Sequence, residues 1–247
     1  MNPAYVLVGF LVGGIVGMTS IGQGIVGMAV LFSIFGIDPR TVVASNMLLG
    51  TVMKSIAALA HMGFDNYDPR YIPPVLVGGV PGILVGARLL GVLPKLLLSR
   101  FLGVILIAAA LSFFYKNEDK HQPLDASPYS VRRNVLLASY FLLIGLLMGV
   151  SSIGGPFIIL ALIHVNGLEP KKAVGTNLMI MALLSIPATA AFIYMDIVDY
   201  NLSFDLTLGA IPGLMIGSHY CVTMEKRRMN LAIGSMVALS GVRLMLI

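Results

Sequence analysis

Apolar residues run along this chain in stretches close to the length that crosses a bilayer core, about 20 residues for about 30 Å. Polar residues collect between them. With Pro, Gly and charge read as punctuation, the pattern predicts helical segments at 4–36, 41–64, 71–90 and 95–115, then at 134–166, 172–195, 204–222 and 229–247. The polar stretch KNEDKHQPLDASPYSVRR separates the two sets, so a single transmembrane domain (1–247) divides into a first repeat at 1–115, a linker at 116–133 and a second repeat at 134–247. The expected fold class is an all-α, polytopic helical membrane protein. The first segment of each set, 33 residues long, is interrupted: TSIGQGIVGMA (Thr19 to Ala29) in one, VSSIGGPFIIL (Val150 to Leu160) in the other.

Composition strengthens that picture. Of 247 residues, 57% are hydrophobic and 11% charged, against roughly 25% charged in soluble domains. A net charge of +5 suits anionic lipid and the positive-inside rule rather than nucleic acid, for which nothing else in the chain speaks. MNPAYVLVGF has no basic n-region or cleavage site and is read as the start of a retained span. Cys221, the single cysteine, excludes an intrachain disulfide and argues against a thiolate metal cluster. No metal and no cofactor are expected.

The two sets repeat one another. At an offset of 131 residues, GIDPRTVVASN (Gly36 to Asn46) lies on GLEPKKAVGTN (Gly167 to Asn177), and GGVPGILVGAR (Gly78 to Arg88) on GAIPGLMIGSH (Gly209 to His219). Gly103 falls on Gly234, and with one gap Ser20 to Gly22 falls on Ser152 to Gly154. The matches hold Gly, Pro and Asn and not only apolar residues, which implies an internal duplication. Corresponding interrupted segments in two repeats point to the substrate site of a secondary transporter. Backbone leaving a helix inside a bilayer exposes N–H and C=O groups at several kcal/mol each unless they line protein or water. The new helix ends present N–H groups and a partial positive charge, which suits an anion.

Candidate site residues follow from this: Ser20, Gly22, Gln23 and Gly24 at the first break, and Ser151, Ser152, Gly154 and Gly155 (with Pro156) at the second. Close helix crossing through small residues is the bland alternative. All eleven Asp and Glu residues lie in loops or at segment ends, so no intramembrane carboxylate is at hand to balance a cation or relay a proton. Lys54, in contrast, falls mid-segment, where a lysine costs at least about 2.5–3.5 kcal/mol unless it faces a cavity, counter-ion or substrate. Asn46, Gly50, Lys54, Ala57 and His61 share one helix face within about 80° of arc. The matching stripe is Asn177, Met181, Ser185, Ala188 and Phe192. Asn46 and Asn177, preceded by Ser45 and Thr176, join the candidates, with helix-to-helix bonding as their alternative. His61, Arg88 and His219 are candidates for proton transfer or gating; an interfacial histidine and a snorkelling arginine are the plainer readings. His164 is read as structural.

Loop charge orients the chain. Asp196, Asp199 and Asp205 favour the outside, and Lys226, Arg227 and Arg228 the cytoplasm, which puts the C-terminus outside. Arg88, Lys95 and Arg100 draw the matching first-half loop to the cytoplasm, as a parallel repeat would. An inverted repeat instead requires each interrupted segment to be a re-entrant hairpin, and about 50 Å of helix suits a hairpin. The length favours the hairpin.

These features together resemble the TauE/SafE family of sulfite and organosulfonate exporters, on the strength of the broken first helix, GIDPRTVVASN, VGGVPGILVGARL and their second-half counterparts SSIGGPFIIL, GLEPKKAVGTN and GAIPGLMIGSH. SIGQGIVG departs from the glycine-rich first motif of that family by placing Gln23 where a glycine is usual. The resemblance implies export of a small sulfur-containing anion across the bacterial inner membrane by a multi-pass protein. In that reading the partners are a small anionic substrate and membrane lipid, with a homodimer admitted, and alternating access moves an anion received at the two broken helices. Carriers for other small anions fit the same pattern. An intramembrane hydrolase using Ser152 with His164 or His219 lacks a G-x-S-x-G setting, and a non-transporting scaffold would tolerate loss of Lys54.

Overall fold

A computed structural model describes residues 1–19, 23–63, 67–114, 131–165 and 167–220, with 235, 238–239, 241–243 and 245–246. Among the described residues the chain is helical throughout, as α1 (Pro3–Thr19), α2 (Gln23–Val30), α3 (Pro39–Gly63), α4 (Ile72–Pro74), α5 (Val80–Val92), α6 (Lys95–Phe114), α7 (Val131–Ser151), α8 (Gly155–Leu160), α9 (Pro170–Tyr194) and α10 (Tyr200–Tyr220). Wider π-helical turns follow α2 (Leu31–Phe35) and α8 (Ala161–Val165), and Val75–Gly79 joins α4 to α5. Pro73 and Pro74 bring no N–H to that last junction, so the regular ladder loosens there. Among the described residues, four helices are long and apolar enough to cross a membrane: Pro39–Leu59, Pro69–Val92, Asn134–Ser151 and Lys172–Tyr194.

Helix boundaries follow local chemistry. Gly36 (φ 63°) and Gly167 (φ 64°) take the left-handed conformation that a side chain resists, ending the turns before α3 and α9. Each of those two helices then opens on a proline, Pro39 and Pro170, whose missing donor costs nothing at that position. Arg40 N donates to Asp38 Oδ1 at 2.9 Å, capping α3. Helix α10 starts earlier than the apolar run at 204 because Asp199 Oδ1 accepts from Leu202 N at 3.0 Å. Asp205 therefore lies inside the helix, buried, with its Oδ2 accepting from Asn2 N at 2.6 Å.

The chain forms two compact units: Met1–Leu49, Gly91–Asn117 and Asp196–Ile247 make unit 1, and Gly50–Leu90 with Glu118–Met195 make unit 2. In unit 1, α1 lies against α10. Gly209, Gly213 and Gly217 set their backbone against Val6, Phe10 and Gly14, while Gly9 and Gly13 face Leu206 and Ala210. A Cβ on Gly13 would sit 2.8 Å from Ala210 Cα, so no side chain fits. Asp199 N donates to Ser45 Oγ at 2.9 Å and Arg40 Nη2 to Leu93 O at 2.6 Å, tying loops to helices in the same unit.

Unit 2 has its own glycine seam, α7 against Val75–Gly79 and α5. Gly78, Gly82 and Gly86 face Ala138, Leu142 and Leu146, and Gly145 and Gly149 face Gly79 and Ile83 in return. Asp68 N donates to Thr176 Oγ1 at 3.0 Å. Thr51 Oγ1 lies 2.7 Å from Thr189 Oγ1 and donates to Ser185 O at 3.2 Å, beside Pro187, which interrupts the ladder of α9.

Candidate functional site

The two stretches singled out in the sequence fall one in each unit. In unit 1, α1 stops at Thr19 and α2 begins at Gln23; Ser20 and Gly22 lie outside the described residues. Gln23, Gly24 and Asn46 are buried, Gln23 at 5% exposure and Asn46 at 0%. The two amides clasp one another. Gln23 Nε2 donates to Asn46 O and, at 2.9 Å, to Asn46 Oδ1. Asn46 Nδ2 donates back to Gln23 O at 3.4 Å and Gly24 O at 3.3 Å, carbonyls at the start of α2. Gly27 makes the approach possible, since a Cβ there would meet Asn46 Oδ1 at 2.7 Å. Gln23 Oε1 has no partner among the described residues.

In unit 2, α7 ends at Ser151 and α8 starts at Gly155. Ser151 Oγ donates to Leu147 O at 2.7 Å and accepts from Ile153 N at 3.2 Å, using its hydroxyl to close the last turn. Ser152 turns the chain with φ 53°, a left-handed conformation that is strained for a residue with a side chain. Ser151, Ser152, Gly154 and Gly155 are all buried. A Cβ on Gly155 would lie 3.7 Å from Asn177 Nδ2 and 3.8 Å from the terminal methyl of Met181, ordinary contacts that leave room. Asn177 is 2% exposed and its Oδ1 has no partner among the described residues.

Lys54 belongs to the same unit and stands out. It is 8% exposed, and its Nζ has no hydrogen-bond partner among the described residues. The ion pairs recorded among those residues are Arg70–Asp68 and Lys95–Asp38, so no carboxylate balances it there. An amine buried without a partner has a large polar demand unmet. His61 and His219 lie on helices α3 and α10, but their side chains, like that of His164, are outside the described residues; Arg88 is exposed. Among the described residues no group of three or more His, Cys, Asp or Glu could hold a metal.

Some polar contacts were not legible beforehand. The Thr51–Thr189 hydroxyl pair and the Gln23–Asn46 clasp link residues far apart in sequence, and only the oddity of Gln23 in a glycine-rich stretch hinted at the second. Ser45 and Thr176 receive backbone N–H groups from Asp199 and Asp68. Asp68 sits just before the apolar run Pro69–Val92. Burial pushes its carboxyl up, but the Arg70 hydrogen bonds and charge, with the charge of Lys172, outweigh this and hold it below the usual carboxylate value.

Glycine seams in both units, a helix break at Ser152–Gly154 and a buried lysine without a partner among the described residues belong to an apolar chain, and the model of the family described as "Sulfite exporter TauE/SafE" matches residues 5–244. The chain belongs to the TauE/SafE family. Its relatives include Probable membrane transporter protein YjnA of Bacillus subtilis (strain 168), 25% identical over 257 residues, covering 99% of this chain and 100% of that protein. Probable membrane transporter protein YdhB of the same organism is 28% identical over 250 residues, covering 97% and 98%. Probable membrane transporter protein ORF9 of Sinorhizobium sp is 24% identical over 222 residues, covering 89% and 83%. No solved structure matches the chain. Membership in TauE/SafE and the apolar helices make this a multi-pass membrane transporter.

Proposed function

We propose that the protein exports a small sulfur-containing anion, of the sulfite or organosulfonate class, from the cytoplasm across the inner membrane by alternating access. The observation that carries this reading is Lys54, buried and without a partner among the described residues, on a helix long and apolar enough to span. A cation kept there is worth its cost only if an anion comes to meet it. Asn177, with its unpartnered Oδ1, and the buried serines and glycines of the unit 2 break supply neutral groups for the same cargo. A monoanion leaving a cell that is negative inside gains about 2.3 kcal/mol per 100 mV, so export needs no coupling carboxylate.

The chain is further read as an internal duplication. Gly78, Gly82 and Gly86 and, 131 residues on, Gly209, Gly213 and Gly217 meet helix backbones of α7 and α1 with the same spacing. Asp68–Thr176 and Ser45–Asp199 are one contact in two copies under that offset, with the roles of the halves exchanged. Independent positions at which Gly, Ser, Thr and Asp recur in matching contacts favour duplication over convergence of two greasy segments.

The test is counterflow in proteoliposomes with sulfite, sulfoacetate, thiosulfate and acetate. Lys54→Met is expected to lower anion flux by at least about tenfold, the loss of one charge-assisted contact of about 1.4 kcal/mol. Flux equal to wild type removes Lys54 from the site, and acetate carried in preference to every sulfur anion overturns the cargo class.

A further inference from the structure

Resting on the anion-carrier reading above, we propose that Gly155 and Met181 are specificity-determining residues of unit 2. The glycine leaves room beside the Asn177 amide for the anionic head of the cargo, and the methionine side chain limits what that head can carry with it.

A glycine in a packed chain has two ordinary reasons to be there, and Gly155 has neither. One is backbone conformation: the left-handed glycines among the described residues are Gly36 and Gly167, whereas Gly155 opens helix α8. The other is close approach. A Cβ on Gly82 would stand 3.0 Å from Leu142 Cα and one on Gly149 2.8 Å from Ala87 N, so those seam positions admit no side chain. A Cβ on Gly155 would meet nothing nearer than Asn177 Nδ2 at 3.7 Å, the Met181 terminal methyl at 3.8 Å and Asn177 Oδ1 at 4.0 Å. Packing therefore permits alanine at 155, in a helix where alanine is the better former.

Polar and soft groups border that room. Asn177 and Met181, four residues apart, share one face of α9. Asn177 is 2% exposed and its Oδ1 has no partner among the described residues, which in a buried amide calls for a ligand. Its Nδ2 lies nearest the room, a donor suited to an oxyanion, while Oδ1 can accept from a proton-bearing oxygen of the same group. The Met181 side chain reaches from position 155 to position 154, where its Sδ would lie 3.3 Å from a Cβ and the Met148 Sδ 3.2 Å. Three rotatable bonds and a polarizable sulfur let such a wall yield to a compact oxyanion, and its bulk opposes a longer substituent. All of these residues belong to unit 2.

The experiment uses the full chain in liposomes, with counterflow of sulfite and of sulfoacetate measured side by side and melting temperature read on the same preparations. Gly155→Ala is expected to cut flux of both anions by at least about tenfold while the melting temperature holds or rises. Gly14→Ala is the control, since a Cβ there would lie 3.7 Å from Gly213 O, in similar room away from the break, and its flux is expected to match wild type. Met181→Ala is expected to raise the sulfoacetate-to-sulfite flux ratio by about tenfold, within the range that reshaping an apolar pocket wall gives. Wild-type flux in Gly155→Ala overturns the assignment, and so does a lowered melting temperature, because the room would then be absent. Equal losses of flux in Gly155→Ala and Gly14→Ala overturn it too. A folded Met181→Ala protein with the wild-type ratio has the same force; should that variant fail to fold, Gly155→Ala decides alone. Wild-type protein that moves neither anion is a different result, and overturns the carrier reading instead.

Discussion

Asn46 and Asn177 place one residue type in two settings. The Asn46 amide is engaged at both ends by the Gln23 side chain and by the Gln23 and Gly24 carbonyls. The Asn177 oxygen is buried with no partner among the described residues. Removing each should therefore do opposite things. Asn46→Ala strands the buried Gln23 amide, and is expected to cost about 1–3 kcal/mol of stability, read as a lower melting temperature in detergent. Asn177→Ala removes an unsatisfied group, so melting should stay near wild type or rise while anion flux falls by about tenfold. Equal melting temperatures for the two variants would show the clasp to be worth nothing. Both asparagines were visible as candidates in the sequence. Their difference was not, because it depends on where one glutamine side chain reaches.

At the scale of elements, periodicity and punctuation located the helices well where proline and glycine act locally. Gly36–Pro39 and Gly167–Pro170 end one helical stretch and open the next through φ and a missing donor, effects written in the residues themselves. Boundaries set by capping were missed by a few residues, as at Asp199 before α10. Contacts between distant segments lay beyond reach: GGVPG and GAIPG were legible as repeats, yet nothing local says that their glycines meet α7 and α1. Asp68 gives an element-scale prediction. It accepts from Arg70 N at 3.0 Å and pairs with the Arg70 guanidinium while its own N–H binds Thr176, fixing the entry to the run Pro69–Val92. Because its folded carboxyl titrates lower than the unfolded one, its contribution is present above the ordinary carboxylate value and lost as pH falls through the folded value. Melting of wild type should exceed that of Asp68→Asn by a constant margin from about pH 5 to 8 and lose that margin below about pH 4. A margin that stays flat to pH 3 would exclude the ionised carboxylate as its source.

At the scale of the whole molecule, neither half of the sequence contains a complete unit. Unit 1 takes Met1–Leu49 and Gly91–Asn117 from the first half and Asp196–Ile247 from the second; unit 2 takes Gly50–Leu90 from the first and Met195 with the residues before it, back into the linker, from the second. Helix α1 buries Gly9 and Gly13 against α10, and α7 buries Gly145 and Gly149 against Gly79 and Ile83, so each seam needs one strip of glycine backbone from either side of the linker. A seam built on close backbone approach has no large side chains to satisfy it with lipid or with a substitute helix. Residues 1–124 or 125–247 produced alone are therefore expected to aggregate or be degraded, whereas the two produced together assemble and recover anion flux to within about tenfold of the intact chain. The linker contributes effective concentration in this view, and the seams contribute the fold. A first half that purified alone as a monodisperse species with a cooperative melt would contradict this, because α1 would then be stable without α10. Recovery of flux on co-production, with neither half stable alone, is the outcome that exchange of elements across the linker requires.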